Sequence, residues 1–189
     1  MSDWRKKSKQ FESADSPQSL SYNYATLDDL IKQAQGKKSA LIVVLDHITD
    51  VGNLGAIIRS AEVIGAAGVV IPSKRAAQVN DGVYRASAGA IDYMKVAREP
   101  NLATALKRLK DEGFWVGGAT EHAKQTIWQA PLEGRIVLVM GAEDTGLARL
   151  TRELCDFEFK LPQVGVTSSL NVAQAFTAIA YEWLRRSSN

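Results

Sequence analysis

Ala40-Leu-Ile-Val-Val-Leu-Asp-His-Ile-Thr-Asp-Val-Gly-Asn-Leu-Gly-Ala-Ile-Ile-Arg59 passes from an unbroken apolar run, through a short polar turn, into residues with helical spacing. The run 40–45 has the length of a strand and no polar position, as expected of a strand buried on both faces of a parallel sheet. From residue 54 to 66, Ile57, Ile58, Ala61 and Ile64 fall on one helical stripe. The unit is strand, Gly-bearing turn, helix, and it recurs along the chain. Residues 68–72, 94–98, 114–119, 135–140 and 157–161 read as further strands. Asn80 or Asp81 caps a predicted helix through Ala90, and Asn101 caps another over 102–112 that Gly113 stops. A short helix near 147–154 and a final one from about Ser169 to Arg186 complete the pattern. Strands alternating with helices predict an α/β fold with a mostly parallel sheet flanked by helices.

The remainder of the chain sets bounds. Residues 1–38 are expected to be a polar tail or linker with one short helix, capped by Thr26 with Asp29 three residues on. Residues 39–189 are expected to form one domain. Hydrophobic content of 46% and charged content of 23% are those of an ordinary globular protein. Cys155 is the single cysteine, so an intrachain disulfide and a cysteine metal cluster are excluded, and a reducing, cytoplasmic setting fits. No apolar run approaches the roughly 18–20 residues that span a bilayer. The start, Met-Ser-Asp-Trp-Arg-Lys-Lys, has no apolar stretch behind its basic residues and is not a secretory signal. A net charge of +2 neither demands nor excludes nucleic acid.

Three turns share the strand–turn–helix design: the one ending at Arg59, Met140-Gly-Ala-Glu-Asp-Thr-Gly-Leu147, and Leu161-Pro-Gln-Val-Gly-Val-Thr-Ser-Ser-Leu-Asn-Val-Ala-Gln-Ala175. Ligands of open α/β sheets sit beyond the carboxyl ends of the strands, where such turns collect. Read singly, each residue has a plain structural account. Asn53 reads as a helix N-cap, Ser168 and Ser169 as caps, Glu143 as a helix-start acid, Gly141 and Gly146 as turn glycines, and Arg59 as a solvated side chain. The Gly-x-x-x-x-Gly spacing of the second turn lacks the Lys-Ser/Thr of a phosphate loop, and the first strand is not followed by Gly-x-Gly-x-x-Gly. His47 and His122 have no carboxylate or cysteine at ligand spacing and read as turn histidines. Trp115, Trp128 and Trp183 read as packing residues of the core or of an interface.

Taken together and in order, the three turns make a resemblance. Asn53-Leu-Gly-Ala-Ile-Ile-Arg59 is similar to the Asn-x-Gly-Ala…Arg motif of the SpoU/TrmH family of SPOUT-superfamily RNA 2′-O-ribose methyltransferases. Val139 to Leu147 is similar to that family's Gly-x-Glu-x-x-Gly-Leu turn, and Leu161 to Val172 to its Ile/Leu-Pro-x-x-Gly-x-x-x-Ser-Leu-Asn-Val motif. Within these, Val51 stands where the family commonly has Pro, Asp144 where Gly often follows Glu, and Ala173-Gln174 where Ser-Val is frequent. The branch that modifies large-subunit ribosomal RNA is the most similar.

The resemblance implies transfer of a methyl group from S-adenosylmethionine to a ribose 2′-hydroxyl, without a metal. It implies a cofactor pocket built from the turns, with groups near Thr120, Gly141, Leu161 and Leu170 holding the cofactor. It makes Arg59 the catalytic arginine, with Asn53, Glu143, Ser169 and Asn171 orienting it, the nucleotide and the cofactor. A guanidinium with a pKa above about 12 is a poor base, so gripping a phosphate and stabilising the forming alkoxide is the expected role. A homodimer and a C-terminal trefoil knot are also implied. The expected partner is structured RNA, ribosomal ahead of transfer RNA, with a guanosine of 23S ribosomal RNA first. A transfer RNA methyltransferase of the same family, or a catalytically silent member that binds RNA or cofactor, is the alternative. Only forty residues precede Leu41, so the reading expects no separate RNA-binding domain there. The basic tail (Arg5, Lys6, Lys7, Lys9) is then the RNA grip, or the chain is a natural short form.

Overall fold

The computed structural model describes residues 22–142, 145–167 and 169–187. The tail residues Trp4 to Lys9, together with Glu143 and Ser168, lie outside these. Six strands form one parallel sheet: β1 (Ala40–Asp46), β2 (Gly68–Pro72), β3 (Val96–Glu99), β4 (Trp115–Ala119), β5 (Arg135–Gly141) and β6 (Phe157–Phe159), in the order β3-β2-β1-β5-β4-β6. The predicted α/β class and parallel sheet are both present. β1 is buried along its whole length, which is why its sequence does not alternate.

The two faces of the sheet carry separate apolar layers. Leu41, Val43 and Leu45 face α2 (Val51–Val63), α3 (Asp81–Ala86) and α6 (Val172–Ser187). Ile42 and Val44 face α1 (Leu27–Ala34) and α4 (Leu102–Asp111), with α5 (Arg149–Glu153) bordering α4. α1 has the expected capping box of Thr26 and Asp29. It lies on the sheet through Leu27, Leu30 and Ala34, and Leu30 fills the space that a side chain at Gly68 would need. Arg108 pairs with Asp28, and Arg135 donates to the Ala34 carbonyl at 2.8 Å, so α1 is tied to the same body.

Several local expectations differ from the outcome. Asp50, not Asn53, caps α2: its carboxylate accepts the Asn53 N–H at 2.6 Å, placing Asn53 inside the first turn. α3 begins at the expected cap, Asn80, but stops at Ala86 instead of Ala90, because Ala88 (φ 50) and Gly89 (φ 83) take left-handed backbone. Of the three tryptophans, Trp183 is buried, whereas Trp115 and Trp128 are exposed. α6 starts at Val172 and is capped by Asn171, whose Oδ1 accepts the Ala173 and Gln174 N–H groups at 2.9 and 3.4 Å.

α6 is held at both ends of its length. Ser60 Oγ and Thr177 Oγ1 share a hydrogen bond of 2.8 Å between α2 and α6. Near the C-terminal end, Arg186 donates to the carbonyls of Ala130, Ile127 and Trp128 and pairs with Glu182, which also pairs with Arg185. These carbonyls belong to one loop, which Arg186 ties to α6; those of Ala130 and Ile127 also accept the backbone N–H groups of Leu132 and Ala130.

Two outcomes follow from this packing. A side chain at Gly55 would come within 2.4 Å of the Ala86 methyl, so α2 and α3 touch at their backbones. Gly55→Ala gains up to about 1 kcal/mol of helix propensity, and overpacking costs about 1–3 kcal/mol. Urea unfolding is expected to show a net loss of stability. The second outcome concerns acid. Hydrogen bonds from Arg185, then Arg186, hold the Glu182 carboxyl down to about 2 from an ordinary 4.5. A depressed carboxyl pKa stabilises the fold above the unfolded value and loses that contribution as pH falls from about 4.5 towards 2. Glu182→Gln is expected to lower the urea midpoint at pH 7 and to flatten its decline between pH 4.5 and 2.

Candidate functional site

β1 leads outward through β2 to the β3 edge; the chain then crosses over α4 to β4 and returns to β5 beside β1. The order therefore reverses between β1 and β5, the point where open α/β sheets bind ligands. A cavity of about 280 Å³ opens on the β5 side of that point, at the carboxyl ends of β4, β5 and β6. Its walls are Ala119 and Thr120 after β4, Met140, Gly141 and Ala142 at the end of β5, Phe159 to Leu161 after β6, and Val172, Ala175 and Ile179 of α6. Thr145, Gly146 and Leu147 close another side. Polar groups stand among them: Glu121, His122, Arg152, Lys160, Gln163 and Ser169.

Thr120, Gly141, Leu161 and Leu170, the four positions expected to hold a cofactor, all line this cavity, as does Ser169. The backbone N–H of Thr120 is engaged by the Phe159 carbonyl at 2.9 Å, its own carbonyl accepts the Ala123 N–H at 3.2 Å, and its hydroxyl accepts the His122 N–H at 3.4 Å. Gly141 has a packing reason to be glycine. A Cβ there would lie 2.3–2.5 Å from the backbone of Gly146 and Leu147, where the turn folds back on itself. Gly146 (φ 65) makes that reversal and donates its N–H to the Ala142 carbonyl at 2.8 Å.

The first and third turns meet beside the cavity. Asn171 Nδ2 donates to Asn53 Oδ1 at 2.8 Å, joining residues 118 apart in sequence. One amide thus does two jobs: its oxygen caps α6 and its nitrogen reaches α2. Arg59 does not line the cavity. It is exposed on α2, one turn past Gly55 and on the same flank, with no hydrogen bond or ion pair among the described residues. Glu143 lies outside the described residues, and its side chain is not placed.

One charge of the rim, Arg152, is firmly paired. Arg152 grips Glu158 through two hydrogen bonds of 2.5 and 2.9 Å, and this pairing holds the Glu158 carboxyl below its ordinary value. Burial pushes the Cys155 thiol up to about 12, so it stays protonated and is no nucleophile. Sequence reading passed over Glu121, Lys160 and Gln163 and took His122 for a turn histidine. Their signal was position: each stands just past the end of β4 or β6. It also passed over Asp46, a carboxylate only 1% exposed at the end of β1. Asp46 accepts the Ala148 N–H at 2.7 Å and contacts His47 Nδ1 at 2.5 Å.

Known proteins share this arrangement. The model of the SpoU rRNA Methylase family matches residues 40–181, which includes all three turns. YacO of Bacillus subtilis, named for the TrmH family of tRNA/rRNA methyltransferases, is 41% identical over 170 residues, covering 89% of this chain and 68% of YacO. The 23S rRNA (guanosine-2′-O-)-methyltransferase RlmB of Photobacterium profundum is 40% identical over 158 residues, 84% of this chain and 64% of RlmB. Among solved structures, the SpoU methyltransferase AviRb of Streptomyces viridochromogenes, in complex with the cofactor AdoMet, superposes with a TM-score of 0.76 at 31% identity. The match covers 83% of this chain and 64% of AviRb. With the second and third motifs lining one cavity, the first joined to them by the Asn53–Asn171 bond, and a family match from the first strand into the last helix, the chain belongs to the SpoU rRNA methylase family.

Proposed function

We propose that this chain transfers a methyl group from S-adenosylmethionine to a ribose 2′-hydroxyl of structured RNA, with a guanosine of 23S ribosomal RNA as the first target. The observation that carries the reading is the single cavity onto which the second and third motifs converge, joined to the first by the Asn53–Asn171 bond. Relatives named for 23S ribosomal RNA guanosine support the choice of target. A solved neighbour with AdoMet bound supports the donor.

The lining suits such a donor. Leu161, Leu170, Val172 and Ile179 offer apolar surface for the faces of an adenine ring, and Thr120, Gln163 and Ser169 offer partners for hydroxyl and amino-acid groups. When bound, the donor would supply an electrophilic methyl group whose bond to the sulfonium sulfur breaks as the bond to oxygen forms, leaving a neutral thioether and releasing the hydroxyl proton to water, so the reaction as written needs no metal. The protein's task is then chiefly alignment and electrostatics. Arg59, standing outside the donor cavity, grips a phosphate beside the target ribose and stabilises negative charge forming on its oxygen. Asn53 and Asn171 hold the α2 and α6 starts in register, so that Arg59 and the cavity keep a fixed relation. Glu143 is assigned to orienting the nucleotide.

We further propose a homodimer, supported by Val63 on α2 and Tyr181 on α6, which are 60% and 50% exposed on neighbouring helices. The trefoil knot of the family, with α6 as the threaded element, is part of the same reading. So is residence in the cytoplasm with the RNA; no helix among the described residues is long and apolar enough to cross a membrane.

Calorimetric titration with S-adenosylmethionine is expected to show binding, and labelled-methyl transfer to ribosomal RNA is expected to depend on the protein; a chain that does neither ends this reading. Arg59→Ala is expected to cut methyl transfer by about 100-fold with donor affinity unchanged, and Arg59→Lys to keep part of it. Near-normal transfer by both variants would remove Arg59 from the mechanism. Asn171→Ala loses both cap and bridge, so about 1 kcal/mol of stability is expected to go with most of the activity. Asn53→Ala keeps the α6 cap, and is expected to lose activity with a smaller shift in urea midpoint.

A further inference from the structure

We infer that Asp46 is a positioning residue: through its hydrogen bond to Ala148 it holds the wall made by Ala142, Thr145, Gly146 and Leu147 in the shape that binds the methyl donor. The inference rests on the cavity being the donor site, as proposed above, and adds a residue outside the cavity to it. Asp46 closes a strand whose preceding positions, Ala40 to Leu45, are all apolar and buried, and it is itself only 1% exposed. A carboxylate in such a place costs several kcal/mol unless its oxygens are bonded. Both are bonded. Oδ1 meets His47 Nδ1 at 2.5 Å, and Oδ2 accepts the Ala148 N–H at 2.7 Å across 102 residues.

This wall needs such an anchor. Its first end is located by the β5 ladder, where Gly141 stands opposite Asp46 itself. The Gly146 to Ala142 bond closes the turn on itself but does not fix it to the sheet. Leu147 rests near Gly118, an apolar contact without direction. At the far end, α5 has no side-chain cap of its own at Ala148, and the Ala148 N–H goes to Asp46. One residue thus sets both ends of the wall: its backbone pairs beside the start and its carboxylate holds the finish. α5 also carries Arg152 to the cavity rim, so the same bond places that side chain.

The test is a double-mutant cycle read by donor binding. Asp46→Ala deletes the acceptor. Ala148→Pro deletes the donor N–H at a residue whose φ of −58 already suits proline. Asp46→Asn keeps an acceptor for Ala148 and a donor for neutral His47. Each of the first two variants is expected to weaken S-adenosylmethionine binding at least tenfold, about 1.4 kcal/mol. The double variant should be no weaker than the worse single one, and Asp46→Asn should stay within about threefold of the wild type. RNA affinity, measured without donor, should be unchanged in all, which a general loss of fold would not permit. A second readout needs no donor: exchange of the Gly146 amide should quicken in Asp46→Ala and not in Asp46→Asn. Donor binding within twofold of wild type in Asp46→Ala, additive losses in the double variant, or unaltered Gly146 exchange would each overturn the inference. A wild-type chain that binds no donor, with Gly146 exchange still dependent on Asp46, would instead overturn the functional reading and leave Asp46 as an anchor of the turn alone.

Discussion

β1 and β5 lie side by side in parallel, paired from Ala40 opposite Arg135 to Asp46 opposite Gly141. This ladder at the centre of the sheet is the constraint on which the rest depends. It brings the ends of two strands that are nearly a hundred residues apart to the same level. The turn into α2 and the turn into α5 therefore start from adjacent points, and the cavity lies on the β5 side of them, at the ends of β5, β4 and β6. A slip in this register would invert which side chains face each layer and would separate Asp46 from Gly141. The full burial of β1 on both faces disfavours such a slip.

Much of what looks like chemistry in the motifs is packing. Gly55 lets α2 touch α3, Gly141 lets a turn close on itself, and Asn171 caps a helix. These roles explain why such residues recur around one site: they set distances between elements to within a methyl group. The side chains left for chemistry are few and lie at the edges. Arg59 stands free in solvent among the described residues, and the polar groups at the rim project from strand ends. The scaffold is dense and the reacting surface is open, the division of labour expected when a rigid sheet presents loops to a large substrate.

The sheet was legible because burial on both faces leaves unbroken apolar runs, and those runs need no tertiary information to be recognised. The motifs located the cavity as well: Thr120, Gly141, Leu161, Leu170 and Ser169 share it. What could not be read depended on partners far along the chain. Asp50 and Asn53 are both good caps three residues apart, and the bond to Asn171 is what commits Asn53 to another task. At α6, Ser168 and Ser169 read as the caps, and the structure gives that role to Asn171. The early end of α3 turns on Ala88, a residue with no special tendency towards positive φ, held there by the close packing of Ala86 and Ser87 on Gly55. Asp46 looked like the first residue of a turn because nothing nearby in sequence announces Ala148.

The bridge between Asn53 and Asn171 is made by two amides, neither of which carries a charge. Phosphate contacts with RNA weaken steeply as salt rises, because each one releases counterions. A neutral amide pair has no such dependence, and it does not titrate. The joint between the first and third motifs should therefore keep its geometry over ionic strengths that strip nucleic acid from the surface. Assembly of the site and capture of its substrate are in this way separate responses to the same solution, one indifferent to salt and one governed by it.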